Sequence, residues 1–168
     1  MSFLKMDPDV NIMFHRLMNY FVSRENLEVS LSDDYNRKKL PPEFESKIEE
    51  TWREKTSKNS TLHNGTKFRL DSITGDEHSE KVVFNLGITC YKDFIGTNWS
   101  PDAKLYCSFG SSECGNPQAY LSDALGVGAL VETKDNFVVL LKRSLLCGEA
   151  PGLWDIPGGH PEPSVSFS

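Results

Sequence analysis

The residue types best suited to chemistry stand near the end of the printed sequence, at residues 150–163. A short apolar run ends at Pro157, two glycines follow, and then come His160 and Glu162. Paired glycines allow the backbone to turn with positive φ and to approach a ligand closely. An imidazole both donates and accepts hydrogen bonds, and a carboxylate accepts them. We therefore expect His160 and Glu162 to face one binding mouth beyond the glycine turn.

Three further positions carry groups that could contact a ligand. Asp155 lies between Trp154 and Ile156 on an apolar strand, where an unpaired carboxylate is costly, so it needs a polar partner. That partner is either a ligand or the cation of a structural salt bridge. Tyr91 could stack on or hydrogen-bond a flat base, or it could pack in the core. Gly148 could offer a backbone N–H or C=O.

Four separated blocks of the sequence resemble one protein family. Residues 150–163 resemble the beginning of the Nudix hydrolase motif, in which a strand of pattern G-x-W-x-x-P-G-G leads through a glycine turn towards an acidic helix. The blocks KFRL at 67–70, YKDFIGTNWS at 91–100, and QAYL at 118–121 with LGVGA at 125–129 are similar to the animal UDP-glucose/UDP-galactose pyrophosphatase branch. The resemblance implies a Nudix α/β/α sandwich after a β-rich N-terminal region. It also implies Mg²⁺-dependent cleavage of UDP-glucose or UDP-galactose to UMP and hexose 1-phosphate.

The resemblance also suggests roles for single residues. Arg143 sits where the family places a positive group on the substrate, and a guanidinium suits bidentate phosphate contacts; a surface salt bridge is the alternative. His63, before the Asn64-Gly65 turn, could reach the base. Family position favours His160 for a phosphate or sugar hydroxyl, and Glu162 for sugar hydroxyls or a hydrated metal. The predicted substrate-binding residues are His63, Tyr91, Arg143, Gly148, Asp155, His160 and Glu162.

The sequence departs from the family where its metal should bind. The family motif has a glutamate six places after its first glycine and an acidic helix later; counted from Gly159, that place is Val165, and the sequence ends at Ser168. Mg²⁺ prefers carboxylates and substrate phosphates as ligands. We expect Mg²⁺ as the family's cofactor, but assign no metal ligand and no catalytic residue. We expect a truncated chain that hydrolyses little; the alternative is a non-catalytic form that binds a nucleotide sugar or a partner.

Apolar periodicity predicts the elements that position these groups. Alternation predicts half-buried strands at 10–16 and 26–31, and Pro42 with a Phe44, Ile48 and Trp52 stripe predicts a helix at 42–55. Hairpins are predicted at 67–73 with 81–88 and at 125–132 with 137–143, and a short strand at 153–156. Residues 91–120 lack a period, which predicts a long surface loop with short helical turns. The expected class is α+β, incomplete, with a β-rich region at 1–120 and the start of a Nudix domain at 121–168.

Composition excludes several classes of protein. The 168 residues are 38% hydrophobic and 11% aromatic, enough to bury the core of one domain, which argues against a disordered chain. The net charge of −6 argues against general nucleic-acid binding. No stretch reaches the roughly 18–20 apolar residues of a membrane span, and no secretory signal is visible. The cysteines at 90, 107, 114 and 147 are irregularly spaced, which favours reduced thiols in the cytoplasm or nucleus.

Overall fold

The computed structural model describes residues 22–75 and 81–163, so the predicted strand at 10–16 lies outside the described residues. The described chain is a mixture of helices and short sheets, which confirms the α+β class. In chain order its elements are β1 (Leu27–Leu31), α1 (Pro42–Lys58), β2 (Thr66–Thr74), β3 (Val82–Cys90), α2 (Tyr91–Thr97), α3 (Ala103–Cys114), β4 (Val127–Gly128), β5 (Leu141–Lys142), β6 (Trp154–Asp155) and β7 (Gly158–Gly159).

A three-stranded sheet of order β1-β3-β2 underlies the first part of the chain. Strands β2 and β3 are antiparallel, with Lys67 opposite Thr89, and this confirms the first predicted hairpin. Strand β1 is parallel to β3 and lies at the edge of the sheet. The strand at 26–31 is confirmed, but its expected half-burial is wrong, since Val29 is 60% exposed. Leu27, Val29 and Leu31 share one face of β1 and are 42–60% exposed, so this face is not packed into the core.

Helix α1 packs its apolar stripe into the core, as its spacing predicts. Pro42 stands at its first turn, where a missing N–H costs no helical hydrogen bond. Ile48 is buried, and the ring of Phe44 meets those of Tyr106 and Phe109 edge-on at 5.6 Å. The predicted helix at 42–55 is therefore confirmed, and it extends to Lys58.

The expected surface loop at 91–120 is wrong, because most of it forms the helices α2 and α3. The glycines that suggested a loop lie inside these helices at close packing contacts. A Cβ on Gly96 would lie 2.5 Å from the side chain of Ile48, and one on Gly110 would lie 2.4 Å from the carbonyl oxygen of Asn116. A glycine at such a contact lets two segments approach more closely than any side chain would permit.

The second predicted hairpin is confirmed in part. Its turn at 133–136 forms, with the N–H of Thr133 donating to the carbonyl of Phe137 at 2.8 Å. The flanking strands β4 and β5 are each two residues long. They pair with β7 and β6, respectively, and not with each other. The predicted strand at 153–156 is confirmed at its centre. The division of the chain at residue 120 stays a prediction.

The segment from β4 to β7 exposes many large apolar side chains. Leu130 is 75% exposed, Phe137 68% and Trp154 66%. Among the described residues no helix has the length and apolar character needed to cross a membrane. The four cysteines are unpaired.

Candidate functional site

Two adjoining cavities, of about 420 and 290 Å³, lie where β2, α2 and residues 143–160 meet. Both are lined by Arg143, Glu149 and His160. Asp155 lines the larger cavity, together with the glycines of β7. Of the other predicted residues, the smaller cavity holds His63, Tyr91 and Gly148. Six of the seven predicted residues are thus brought together, and that they bind a ligand stays a prediction.

Tyr91 is held at the junction between β3 and α2. Its backbone N–H donates to the carbonyl of Gly65 at 3.1 Å, and its ring meets Trp52 edge-on at 5.9 Å. Burial raises the pKa of the Tyr91 phenol, and the neighbouring Glu149 carboxylate raises it further. The hydroxyl therefore remains protonated at neutral pH and can donate to the Glu149 carboxylate, which lines the same cavity.

Gly148 approaches this hydroxyl so closely that it cannot carry a side chain without movement. A Cβ at position 148 would lie 2.4 Å from Tyr91 Oη and 2.9 Å from Leu62 Cδ2. The loop after Arg143 is therefore packed directly against the ring at the start of α2. This close contact joins the two halves of the site.

Arg143 follows β5 and donates three hydrogen bonds. Its Nη1 donates to Asp155 Oδ2 at 2.9 Å, and its Nε donates to the carbonyl of Glu149 at 3.1 Å. Its backbone N–H donates to the carbonyl of Leu153 at 2.9 Å. The polar partner expected for Asp155 is thus Arg143. The expectation that Asp155 lies in apolar surroundings is wrong. Strand β6 is an exposed two-residue strand, and the Asp155 side chain is 48% exposed.

His160 and Glu162 follow the glycine turn of β7. Burial lowers the pKa of His160, and the positive charge of Lys67 lowers it further, so the imidazole is neutral at pH 7. The His160 ring lies 5.9 Å from that of Phe94. Glu162 Oε1 accepts from Lys67 Nζ at 3.4 Å, which places Glu162 beside the cavities rather than in their lining.

Two residues of this region were missed from the sequence, Lys67 and Glu149. Lys67 and Arg69 are both buried on β2. Two basic residues at alternate positions of a strand share one face, and that pattern was the available signal for Lys67. No comparable pattern distinguishes Glu149, which reaches the site through a loop.

The described side chains do not fit a Mg²⁺ site. Within residues 22–75 and 81–163, no group of three or more His, Cys, Asp or Glu side chains is arranged to hold a metal ion. Asp155 is paired with Arg143, and Glu162 is paired with Lys67. Carboxylates already bonded to cations are poor candidates for the oxygen ligands that Mg²⁺ requires.

Several known proteins are similar in sequence to this chain, although no family model matches it. The chain is 40% identical over 165 residues to uridine diphosphate glucose pyrophosphatase NUDT22 of Mus musculus, covering 97% of the chain and 53% of that protein. The Homo sapiens protein of the same name is 40% identical over 163 residues, covering 95% and 53%. Nudix hydrolase 9 of Arabidopsis thaliana is 34% identical over 161 residues, covering 86% and 48%. The chain spans about half the length of the curated relatives it matches.

Proposed function

We propose, from its sequence similarity to UDP-glucose pyrophosphatases and to a Nudix hydrolase, that this chain belongs to the Nudix hydrolase family and forms the nucleotide-sugar-binding part of a UDP-sugar diphosphatase. Such an enzyme cleaves the diphosphate of UDP-glucose or UDP-galactose and releases UMP and hexose 1-phosphate. The observation that carries the proposal is the convergence of Tyr91, Arg143 and His160 on two adjoining cavities.

The smaller cavity would take the base. The Tyr91 ring is flat and held in place, and aromatic faces stack well on nucleobases. His63 lines the same cavity and can exchange hydrogen bonds with the polar edge of a uracil.

The larger cavity would take the diphosphate and the sugar. Arg143 lines both cavities, and its guanidinium, oriented by Asp155, suits the oxygens of a phosphate between base and sugar. The glycines of β7 line the larger cavity without side chains and allow a phosphate to approach the backbone. A neutral His160, which lines both cavities, can donate to a phosphate oxygen or a sugar hydroxyl.

Binding without appreciable hydrolysis is the expected behaviour of this chain. The family resemblance implies Mg²⁺, yet Asp155 is paired with Arg143 and Glu162 with Lys67, and the described residues form no group of three or more His, Cys, Asp or Glu that could hold a metal ion.

A second candidate is a non-catalytic chain that binds a protein partner. It is favoured by the exposed apolar side chains between β4 and β7, such as Leu130 and Phe137. Apolar surface of this kind is characteristic of interaction sites. The two candidates differ in whether a nucleotide sugar is bound.

Titration calorimetry with UDP-glucose, UDP-galactose and ADP-glucose tests the proposal. We expect the two UDP-sugars to bind and ADP-glucose to bind at least about tenfold more weakly, because the polar edge of an adenine differs from that of a uracil. UMP release in Mg²⁺ would be measured in parallel, with the mouse relative as the positive control. No binding of either UDP-sugar would reject the proposal and favour the partner-binding candidate, and rapid UMP release by this chain would overturn the conclusion on its carboxylates.

A further inference from the structure

Lys67 is a buried cation that the predicted site did not include. It lies on β2, and its side chain is only 9% exposed. Its Nζ is 3.4 Å from Glu162 Oε1 and 5.7 Å from the centre of the Tyr91 ring. Burying a lysine amine is costly unless a carboxylate or an aromatic face compensates, and here both do. Lys67 thus joins the first sheet to a segment 95 residues further along the chain.

The same amine belongs to the charge environment of His160. Four charged side chains act on that imidazole: Lys67 and Arg143 disfavour its protonation, while Glu149 and Glu162 favour it. The ring of Phe94 packs beside it. Removing the charge of Lys67 would leave the two glutamates opposed by Arg143 alone.

We infer that Lys67 is a positioning residue of this site, whose ammonium group holds Glu162 and the turn that carries His160 against β2 and the Tyr91 ring. Lys67 itself lines the smaller cavity, and its ammonium group acts on the site through Glu162 and His160. The inference rests on the proposed function for the identity of the ligand, but the arrangement it describes can be tested without any ligand.

The ligand-free test is an NMR titration of His160. Lys67→Met should raise the pKa of His160, because a repelling positive charge is removed, whereas Lys67→Arg should leave it near the wild-type value. Lys47→Met is the matched control, since Lys47 also contacts a carboxylate, Asp102, and an aromatic ring, Phe44, away from the cavities. An unchanged His160 pKa in Lys67→Met would overturn the inference.

The ligand-dependent test is a double-mutant cycle for UDP-glucose affinity. Lys67→Met should weaken binding about tenfold, and Lys67→Arg should restore most of that affinity. In a Glu162→Gln background the same Lys67→Met change should weaken UDP-glucose binding clearly less, because the carboxylate that Lys67 contacts has already been removed. Equal losses in both backgrounds would show that Lys67 does not act through Glu162.

A second uncharged variant, Lys67→Gln, keeps the test valid if Lys67→Met does not fold. If Lys67→Met does not fold, Lys67→Gln takes its place, and failure of both while Lys67→Arg folds would assign Lys67 a purely structural role and overturn the inference. If the wild-type chain binds no UDP-glucose, the proposed function fails, and the His160 titration still decides the role of Lys67.

Discussion

Replacing Gly148 by alanine tests the contact that joins the two halves of the candidate site. The new Cβ would lie 2.4 Å from Tyr91 Oη, and an ordinary contact begins at 3.4 Å, so one side must move by about 1 Å. Tyr91 resists this movement because Trp52 packs on its ring and Gly65 accepts its backbone N–H. Overpacking of this kind costs about 1–3 kcal/mol, which corresponds to a roughly 5–150-fold change in an equilibrium constant.

The assay combines thermal unfolding with UDP calorimetry. We expect Gly148→Ala to lower the melting temperature, to weaken UDP binding at least about fivefold, or to do both, according to whether the fold or Tyr91 yields. Tyr91→Phe removes the hydroxyl that clashes with the new Cβ. In that background Gly148→Ala should therefore cause a smaller loss of melting temperature and of UDP affinity. Wild-type stability and affinity in Gly148→Ala, or an equal cost in both backgrounds, would refute the reasoning.

Three further predictions concern charged groups of the described chain. Arg143→Lys should weaken UDP binding about tenfold in calorimetry, because a lysine cannot replace both the Asp155 and the Glu149 contacts, while stability changes by at most about 1 kcal/mol for this partly exposed pair. The lowered pKa of His160 means that the unfolded chain binds a proton first as the pH falls. Urea unfolding should therefore show stability falling as the pH drops through the ordinary value of 6.5 towards the lower folded-state pKa, and less so in His160→Gln. Glu45→Gln should lower the free energy of unfolding by about 3 kcal/mol in urea, because it removes one of two carboxylates paired with the buried Arg37, at 2.6 and 2.7 Å.

Local sequence signals were enough for α1 and for the β2–β3 hairpin. Pro42 and the Phe44, Ile48 and Trp52 spacing mark a helix whose apolar face must be covered, and an Asn-Gly turn precedes two alternating strands. Helices α2 and α3 could not be predicted in the same way, because Gly96 and Gly110 serve packing contacts made by distant residues. The exposure of β1 likewise depends on what packs against its apolar face, which no local pattern reveals.

The candidate site shows the same division. Six cavity-lining residues could be predicted from the sequence, because both their residue types and the family resemblance point to them. Lys67 was missed because its partner in the site, Glu162, is far away in sequence. Glu149 was missed because the loop that carries it has no recognisable pattern. Pairings across long separations are set by the tertiary structure, so a single sequence carries little information about them.

These long-range contacts bear on how the two regions of the chain cooperate. Tyr91 and Lys67 come from the first sheet and the helix after it, whereas Gly148 and Glu162 come from the later segment, and each pair is in contact. The first region therefore supplies one wall of the smaller cavity and the cation that holds Glu162. If the proposed ligand binds here, a chain starting after residue 120 would lack Tyr91 and His63 and so retain contacts to phosphate but not to the base. Selectivity for uridine over other nucleotides would then depend on the β-rich region, and affinity for phosphate on the later one.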